Sequence, residues 1–181
     1  ATVTDGSGNH WAIGVVRFES TDASKDSFWS FNGIGRTYAY SSGASNNTWP
    51  GEIDYDGSNT ISNGIAKNDF TVNIARYTFA IVSIIFNKSG NQIFGRINGT
   101  TRTDIDPYSN NIASIAQARF FRNRGNIRLE GYIAEFFHVA DVPGTGGTNI
   151  SDVEKAEGYL AHKWGMTSSL PVSHPYKNSA P

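Results

Sequence analysis

The sequence predicts an all-β domain, an antiparallel two-sheet jelly-roll sandwich that is closed by one short C-terminal helix. Many short segments of β-branched and aromatic residues alternate with turn residues, and a single helical segment follows them near the end of the chain. Charged residues make up only 17% of the chain, whereas glycine, asparagine, serine and threonine are abundant. This composition favours a turn-rich β protein over a helical one.

Length and composition limit the kind of protein further. The 181 residues suit one domain, 1–181, with a substantial core, since no repeat or change of composition divides them. A formal net charge of −1 gives no reason to expect nucleic acid as a partner. Because there is no cysteine, disulfides and thiolate metal sites are excluded. The longest apolar stretch, Phe79–Phe86, is far shorter than the roughly 20 residues that span a bilayer, so no membrane insertion is expected.

Four segments in the first half are predicted strands because they are rich in β-branched and aromatic residues. They are Trp11–Phe18, Phe28–Phe31, Thr37–Tyr40 and Phe70–Ala75. Residues 41–68 contain several glycines and asparagines, so they are predicted to be mostly loop with short pieces of strand.

Two hairpins are predicted in the second half. The strands of the first are Tyr77–Asn87 and Gln92–Ile97, and those of the second are Ala116–Arg122 and Ile127–Val139. The dipeptide at 98–99, Asn-Gly, is a strong type I′ turn signal that leads into a further strand.

One helix is predicted after the strands. Ser151 is the expected N-cap, with Glu154 reaching back to it in an S-x-x-E capping box, and Gly165 is the expected stop. Four residues share one helical face and are predicted to pack onto the sheet: Val153, Ala156, Leu160 and Trp164. With Trp164 in the core, we expect Trp164→Ala to cost about 3–5 kcal/mol of stability.

The end of the chain carries a recognisable pattern. Residues 157–165 read E-G-Y-L-A-H-K-W-G, and Leu-Pro at 170–171 and His-Pro-Tyr at 174–176 follow. This pattern resembles the closing signature of laminin-G-like, concanavalin A-like sandwich domains, which are found in bacteriophage virion proteins and bacterial surface proteins. R-I-N-G at 96–99 and G-Y-I-A-E at 131–135 resemble the central hairpin and the last strand of the same family.

The resemblance implies a function as well as a fold. We expect a non-catalytic surface or adhesion module, a virion component such as a capsid decoration or a tail appendage, that binds cell-surface or environmental glycans. It implies a location on the virion surface or at the cell surface, with many copies on a particle or in a homo-oligomer, so that weak sites gain avidity. His162 and His174, which belong to the signature, are expected to hydrogen-bond the tail to the body. The chain begins at Ala1 without methionine, so we expect a processed product or an excised domain.

A carbohydrate site is predicted around Trp49, because aromatic rings stack on the apolar faces of sugars. Trp49 follows Asn-Asn-Thr and precedes Pro50, which is typical of a loop. Tyr55, Asp54 and Asn59 are the other predicted sugar contacts.

A calcium site is the second hypothesis for this segment. Asp54, Asp56 and Asn59 offer alternating oxygen ligands around the turn residue Gly57, as hard cations such as Ca²⁺ prefer. The segment lacks the later bidentate glutamate of a full EF-hand loop, so a solvated turn is the simpler interpretation.

Residues 49–57 also resemble the W-P-x-x-G-E-I-D-x-x-E core of laminarinase-type retaining endoglucanases. On a strand Glu52, Asp54 and Asp56 share one face, and retention needs two carboxyl groups about 5–5.5 Å apart. Asp56 is one methylene shorter than the family's glutamate, and positions i and i+4 lie about 13 Å apart on a strand. A β-glucanase-like glycosidase is therefore the less favoured alternative. The other alternative is a purely structural building block that contacts only protein.

Anion binding is a further hypothesis, because four arginines crowd one predicted hairpin: Arg119, Arg122, Arg124 and Arg128. Guanidinium groups recognise phosphate or acidic glycans. Two glutamates lie close by in the sequence, at 130 and 135, so solvated arginines are the simpler interpretation.

Overall fold

The computed structural model describes residues 9–19, 29–33, 38–41, 48–54, 68–75, 77–87, 92–101, 115–120, 131–140 and 150–181. Within these ranges the strands are β1 (His10–Phe18), β2 (Trp29–Gly33), β3 (Tyr38–Ser41), β4 (Thr48–Asp54), β5 (Asn68–Ala75), β6 (Phe79–Asn87), β7 (Gln92–Ile97), β8 (Thr100–Thr101), β9 (Ile115–Phe120) and β10 (Gly131–Val139). Helix α1 (Ser151–Lys163) and a short 3-10 helix (Thr167–Ser169) follow. A mostly β chain with one short C-terminal α-helix is therefore confirmed for the part of the chain that the structure describes.

The largest sheet among the described strands has five antiparallel strands in the order β10-β1-β6-β7-β8. Strand β1 pairs with β6 on one side and with β10 on the other, so that Ala12 lies between Ile84 and His138. The register of the β1–β10 pair shifts between Val15 and Val16, which marks a β-bulge. The remaining described strands form two smaller antiparallel sheets, β2-β9 and β3-β4-β5.

One face of the five-stranded sheet packs against α1. Side chains alternate along a strand, so one face of the β1–β6 pair presents only every second residue. The buried apolar side chains of this helix-covered face belong to the sheet, to α1 and to the tail after it: Trp11, Ile13, Val15, Ile81, Ile85, Phe94, Val153, Leu160, Ala161, Met166 and Leu170. Burying each large aliphatic side chain contributes about 1.5–3 kcal/mol, so this cluster is a hydrophobic core between the sheet and α1.

The opposite face of the same sheet is buried too. Six apolar residues in alternate positions of β1, β6 and β7 have almost no exposed surface: Ala12, Val16, Ala80, Val82, Ile84 and Ile97. A strand that is buried on both faces needs a nearly continuous apolar sequence. This explains why residues 11–16 and 80–85 show little polar alternation.

The turn between β7 and β8 is of the predicted type. Asn98 and Gly99 have φ angles of 50° and 77°, and a type I′ turn needs two positive values. Asn98 also ties the turn to β6, because its Oδ1 accepts a hydrogen bond from the Ile81 amide at 2.8 Å. A Cβ on Gly99 would lie 2.7 Å from Cδ2 of His174, so the tail passes directly over this glycine.

The prediction of a hairpin between Ala116–Arg122 and Ile127–Val139 is wrong. Strand β9 pairs with β2, whereas β10 pairs with β1 along its length. Pairing of sequence neighbours is only a tendency. Both β1 and β10 are nine residues long, so each finds a partner of matching length far away in the sequence.

Two details of the helix also differ from the prediction. The N-cap residue is Ile150, whose carbonyl accepts from the Glu154 amide at 2.9 Å, so Ser151 is the first residue inside α1. The side chain of Ile150 packs against the core. This contact fixes the N-cap one residue earlier than the predicted capping box would place it. Buried Val153 and Leu160 and partly buried Ala156 lie on the predicted face.

Trp164 is not in the core; 44% of it is exposed. It is the C-cap of α1 and reaches Glu135 on β10, the outermost strand of its sheet, so no further described strand covers the indole. The predicted stop at Gly165 is confirmed by its φ of 67°. The amides of Gly165 and Met166 bond back to the carbonyls of His162 and Ala161, which is a Schellman motif.

His138 on β10 makes stability depend on pH. Burial lowers the pKa of His138 from 6.5 to about 4, and its ring centroid lies 5.5 Å from that of buried His10. Between these two pKa values the unfolded chain binds a proton that the folded chain does not, so stability falls as the pH falls through this window. We expect His138→Gln to flatten the pH dependence of the urea midpoint there. Equal slopes for the variant and the wild type would contradict this.

Candidate functional site

The predicted sugar and calcium residues divide between β4 and the segment after it. In β4, Trp49 lies opposite Ile74, and Asp54 lies opposite Tyr38 as the last residue of the strand. The assignment of Trp49 to a loop is therefore wrong. β4 is the middle strand of its sheet, and the register shift after Pro50 shows how a proline is accommodated there.

The other predicted ligands, Tyr55, Asp56 and Asn59, lie outside the described residues. Three of the four arginines of the anion hypothesis also lie outside them, and Arg119 lies on β9 opposite Ser30. Among the described residues, no group of three or more His, Asp or Glu side chains is placed to hold a metal ion. The sugar, calcium and anion hypotheses for these segments stay predictions.

A buried cluster of charged and polar side chains joins the sheet to α1 and to the tail. It consists of Ser83, Arg96, Glu157 and His174, called the Arg96 cluster below. Ser83 and Arg96 are neighbours across the β6–β7 pair, on the face that α1 covers. Arg96 donates from Nε and Nη2 to the two carboxylate oxygens of Glu157, at 2.8 and 2.9 Å. This bidentate geometry is the strongest that an arginine forms with a carboxylate.

The remaining polar atoms of the Arg96 cluster are also paired. Ser83 donates to Oε1 of Glu157 at 3.2 Å, and Nε2 of His174 lies 3.1 Å from Oε2. Arg96 further donates to the Gly99 carbonyl at 2.7 Å. Burial alone raises the pKa of the Glu157 carboxyl, but the hydrogen bonds from His174 and Arg96 lower it below its ordinary value. Glu157 is therefore a carboxylate inside the core.

The geometry of the Arg96 cluster is that of a structural clamp. A serine nucleophile needs a base that accepts its proton, as in a Ser-His-acid triad. Here the hydroxyl of Ser83 donates to Glu157, and His174 contacts the same carboxylate instead of Ser83. Ser83, Glu157 and His174 are all buried, so no substrate reaches them.

The tail after α1 is held down by both signature histidines, as predicted. Nε2 of His162 lies 3.0 Å from the Tyr176 carbonyl, and His174 belongs to the Arg96 cluster. Lys177 stabilises the fold of the tail itself, because its Nζ donates to the carbonyls of Thr167, Ser168 and Leu170 at 2.6–3.1 Å.

Gly158 allows the tail to approach the helix. A Cβ at this position would lie 2.4 Å from Cβ of Tyr176. We expect Gly158→Ala to destabilise the protein by about 1–3 kcal/mol in chemical denaturation, although alanine is the better helix former. Lys155→Ala, at an exposed position of the same helix, is the control and should change stability by less than about 0.5 kcal/mol. Equal stability of the two variants would show that Tyr176 does not pack on the helix.

A second cluster lies at the surface, at the C-terminal end of α1. It consists of Glu135, Tyr159, Lys163 and Trp164, called the helix-end cluster below. The Glu135 carboxylate accepts from Trp164 Nε1 at 2.8 Å and from Lys163 Nζ at 2.9 Å. Lys163 also donates to the Tyr159 hydroxyl at 3.0 Å and lies 5.3 Å from the centre of its ring.

Exposed rings and fixed polar groups are combined in the helix-end cluster. Tyr159 and Trp164 are 43% and 44% exposed. Burial raises the pKa of Glu135, but the hydrogen bonds from Lys163 and Trp164 lower it below its ordinary value. The hydrogen bonds to Tyr159 and Glu135 raise the pKa of Lys163, so both groups are charged. The arrangement offers two rings, an anion and a cation in fixed positions to a ligand.

The sequence matches no protein-family model and no curated protein. Helix α1 has 13 residues, and the described ranges include no helix with the length and apolarity needed to cross a membrane.

Proposed function

We propose that the chain is a non-catalytic glycan-binding module of a surface assembly, such as a phage capsid decoration or a tail appendage. The observation that carries this proposal is the helix-end cluster, where two exposed rings flank a fixed ion pair. Sugar recognition needs this combination, because a ring packs on the apolar face of the sugar while polar groups bond its hydroxyls. The E-G-Y-L-A-H-K-W-G motif supports the virion or cell-surface setting.

The proposal includes a two-sheet jelly-roll sandwich as the scaffold. Burial of the sheet face opposite α1 supports it, because side chains such as Ala12, Val82 and Ile84 need a second layer of chain over them. The described strands outside the five-stranded sheet, β2-β9 and β3-β4-β5, are the natural source of that layer.

The helix-end cluster is well suited to bind because it is rigid. Glu135 accepts the indole N–H of Trp164 from β10, which pairs with the buried strand β1, and the Schellman motif fixes the backbone of the helix end. Groups that are held in place before binding lose little conformational entropy when a ligand arrives.

The segment from Trp49 to Asn59 is the second proposed sugar site, and Ca²⁺ is its proposed cofactor. Its oxygen-rich sequence carries this part of the proposal. The two sites differ in an observable way, because only binding at the second site depends on calcium.

A glycan array with a multimerised form of the domain, with and without millimolar calcium, tests the proposal. We expect calcium-independent binding to at least one class of sugar and its loss in Trp164→Ala. That variant should still fold, because 44% of Trp164 is exposed and its indole makes one hydrogen bond, so the substitution should cost less than the ~3–5 kcal/mol of a core tryptophan. Calcium-dependent signals that Asp54→Asn removes would locate sugar binding at the second site.

Silence of the array in both conditions would contradict the proposal. It would favour the alternative of a building block that contacts protein, since exposed tryptophan and tyrosine are also enriched at protein interfaces. Size measurement across a concentration series then distinguishes self-assembly of the chain from a monomer. The glycosidase alternative predicts hydrolysis of β-glucans by the wild type and its loss in Glu52→Gln.

A further inference from the structure

An exposed row of side chains crosses three strands of the five-stranded sheet. It consists of Tyr132 on β10, Arg17 on β1 and Phe79 on β6, called the aromatic row below. The three residues are directly paired in the register. The guanidinium carbon of Arg17 lies 5.3 Å from the ring centre of Tyr132 and 5.7 Å from that of Phe79, and Glu19 binds the same guanidinium.

The aromatic row is exposed although it belongs to the helix-covered face. Arg17 follows Val15 at an alternate position of β1, so the two side chains lie on the same face. Yet Tyr132 is 55% and Phe79 36% exposed. Tyr77, just before β6, is 59% exposed and has a φ of 65°, a conformation that is rare for a bulky residue.

The position of α1 explains this exposure. Near the C-terminal end of β10, Tyr159 lies beside Phe137, with ring centres 6.1 Å apart. One turn later the side chain of Lys163 reaches Glu135, so the helix advances in the direction of Tyr132 along the strands. The helix ends at Lys163, near Glu135. The aromatic row lies about 7 Å further along the strands, beyond the end of the helix, so the helix does not cover it. The aromatic row therefore continues the surface that the helix-end cluster begins.

The charges on this combined surface are paired with one another. Arg17 binds Glu19, and Lys163 binds Glu135, so two cations and two anions cancel. A ligand that is itself charged finds no unpaired partner among these four groups. An uncharged ligand with many hydroxyls and apolar ring faces finds both donors and acceptors beside aromatic rings.

We infer that the helix-end cluster and the aromatic row form one extended site for a neutral oligosaccharide. This inference rests on the proposed function and adds the class of ligand and a second group of contacts. Trp164 and Tyr159 hold one sugar unit, and Tyr132 and Phe79 hold units further along the same chain. Affinity then rises with the number of sugar units.

Titration of the purified domain with oligosaccharides tests this inference. The probes are linear β-1,3-glucose, α-mannose and β-galactose series of one to six units, with uronic-acid oligomers of equal length for comparison. We expect at least one neutral hexamer to bind ten times more tightly, or better, than its monomer, and more tightly than any uronic-acid oligomer. Tyr132→Ala should remove most of this gain, whereas Trp164→Ala should weaken the binding of both the monomer and the hexamer. Val172→Ala, which removes an exposed apolar side chain in the tail, is the control.

The outcomes separate this inference from the proposed function. If Tyr132→Ala leaves the dependence on length intact, or if uronic-acid oligomers bind more tightly, the extended neutral site is wrong while sugar binding stands. If Trp164→Ala leaves binding unchanged, the helix-end cluster is wrong as well. If the wild type binds none of the oligosaccharides, both proposals fail. Tyr132→Phe should behave as the wild type, which shows that the ring is the contact.

Discussion

Replacing Glu157 with alanine is expected to lower the free energy of unfolding by about 3–5 kcal/mol. The substitution leaves the buried guanidinium of Arg96 without its carboxylate partner. It also removes the acceptor of Ser83 and the partner of His174. Equilibrium unfolding in urea measures the loss, and it should exceed that of any substitution in the helix-end cluster.

A double-mutant cycle separates the ion pair from the packing around it. In the Glu157→Ala variant the buried charge of Arg96 has lost its partner, and Arg96→Met removes that charge. The double variant should therefore lose clearly less stability than the sum of the losses of the two single variants. Additive losses would contradict the view that the two side chains act as one pair.

The second large effect is expected from removal of the tail. Ending the chain at Gly165 removes two buried core side chains, Met166 and Leu170, and the partner that His174 provides to Glu157. Loss of one such core side chain costs about 2–5 kcal/mol, and a whole domain has about 5–15 kcal/mol of stability. We expect the shortened protein to show no cooperative thermal transition.

A less severe truncation is the control for this experiment. Ending the chain at Lys177 removes only the exposed residues 178–181 and keeps the three hydrogen bonds of the lysine. Its transition should coincide with that of the full chain. A cooperative transition near the wild-type midpoint in the Gly165 truncation would show that the tail is not part of the core.

Features with a local cause could be predicted from the sequence. The β6–β7 strands and the turn at 98–99 follow from apolar runs and an Asn-Gly dipeptide, and Gly165 stops the helix as expected. Each of these signals lies within a few residues of its effect. The tail contacts of His162 and His174 were expected only from the resemblance of the whole ending.

Features with a distant cause could not be predicted. Glu157 is one of three acidic residues on α1, and its partner Arg96 lies 61 residues earlier in the chain. Trp164 fits the apolar face of α1 by spacing, but it lies at the end of the helix beside Glu135 of the edge strand β10, where 44% of it stays exposed. The pairing of β10 with β1 instead of β9 depends likewise on strands far apart in the sequence. The sequence does not predict the helix-end cluster, because each of its residues, considered alone, is typical either of a core position or of a solvated surface position.

The most direct test of sugar binding is the indole N–H signal of Trp164 in an NMR titration with the oligosaccharide that binds best on the array. Trp164→Phe assigns this signal by its disappearance. Because Trp164 is exposed and Trp11 is buried in the core, we predict that the Trp164 signal shifts in a saturable way while that of Trp11 stays in place. A Trp164 signal that stays still at millimolar sugar would contradict the helix-end cluster as the binding site.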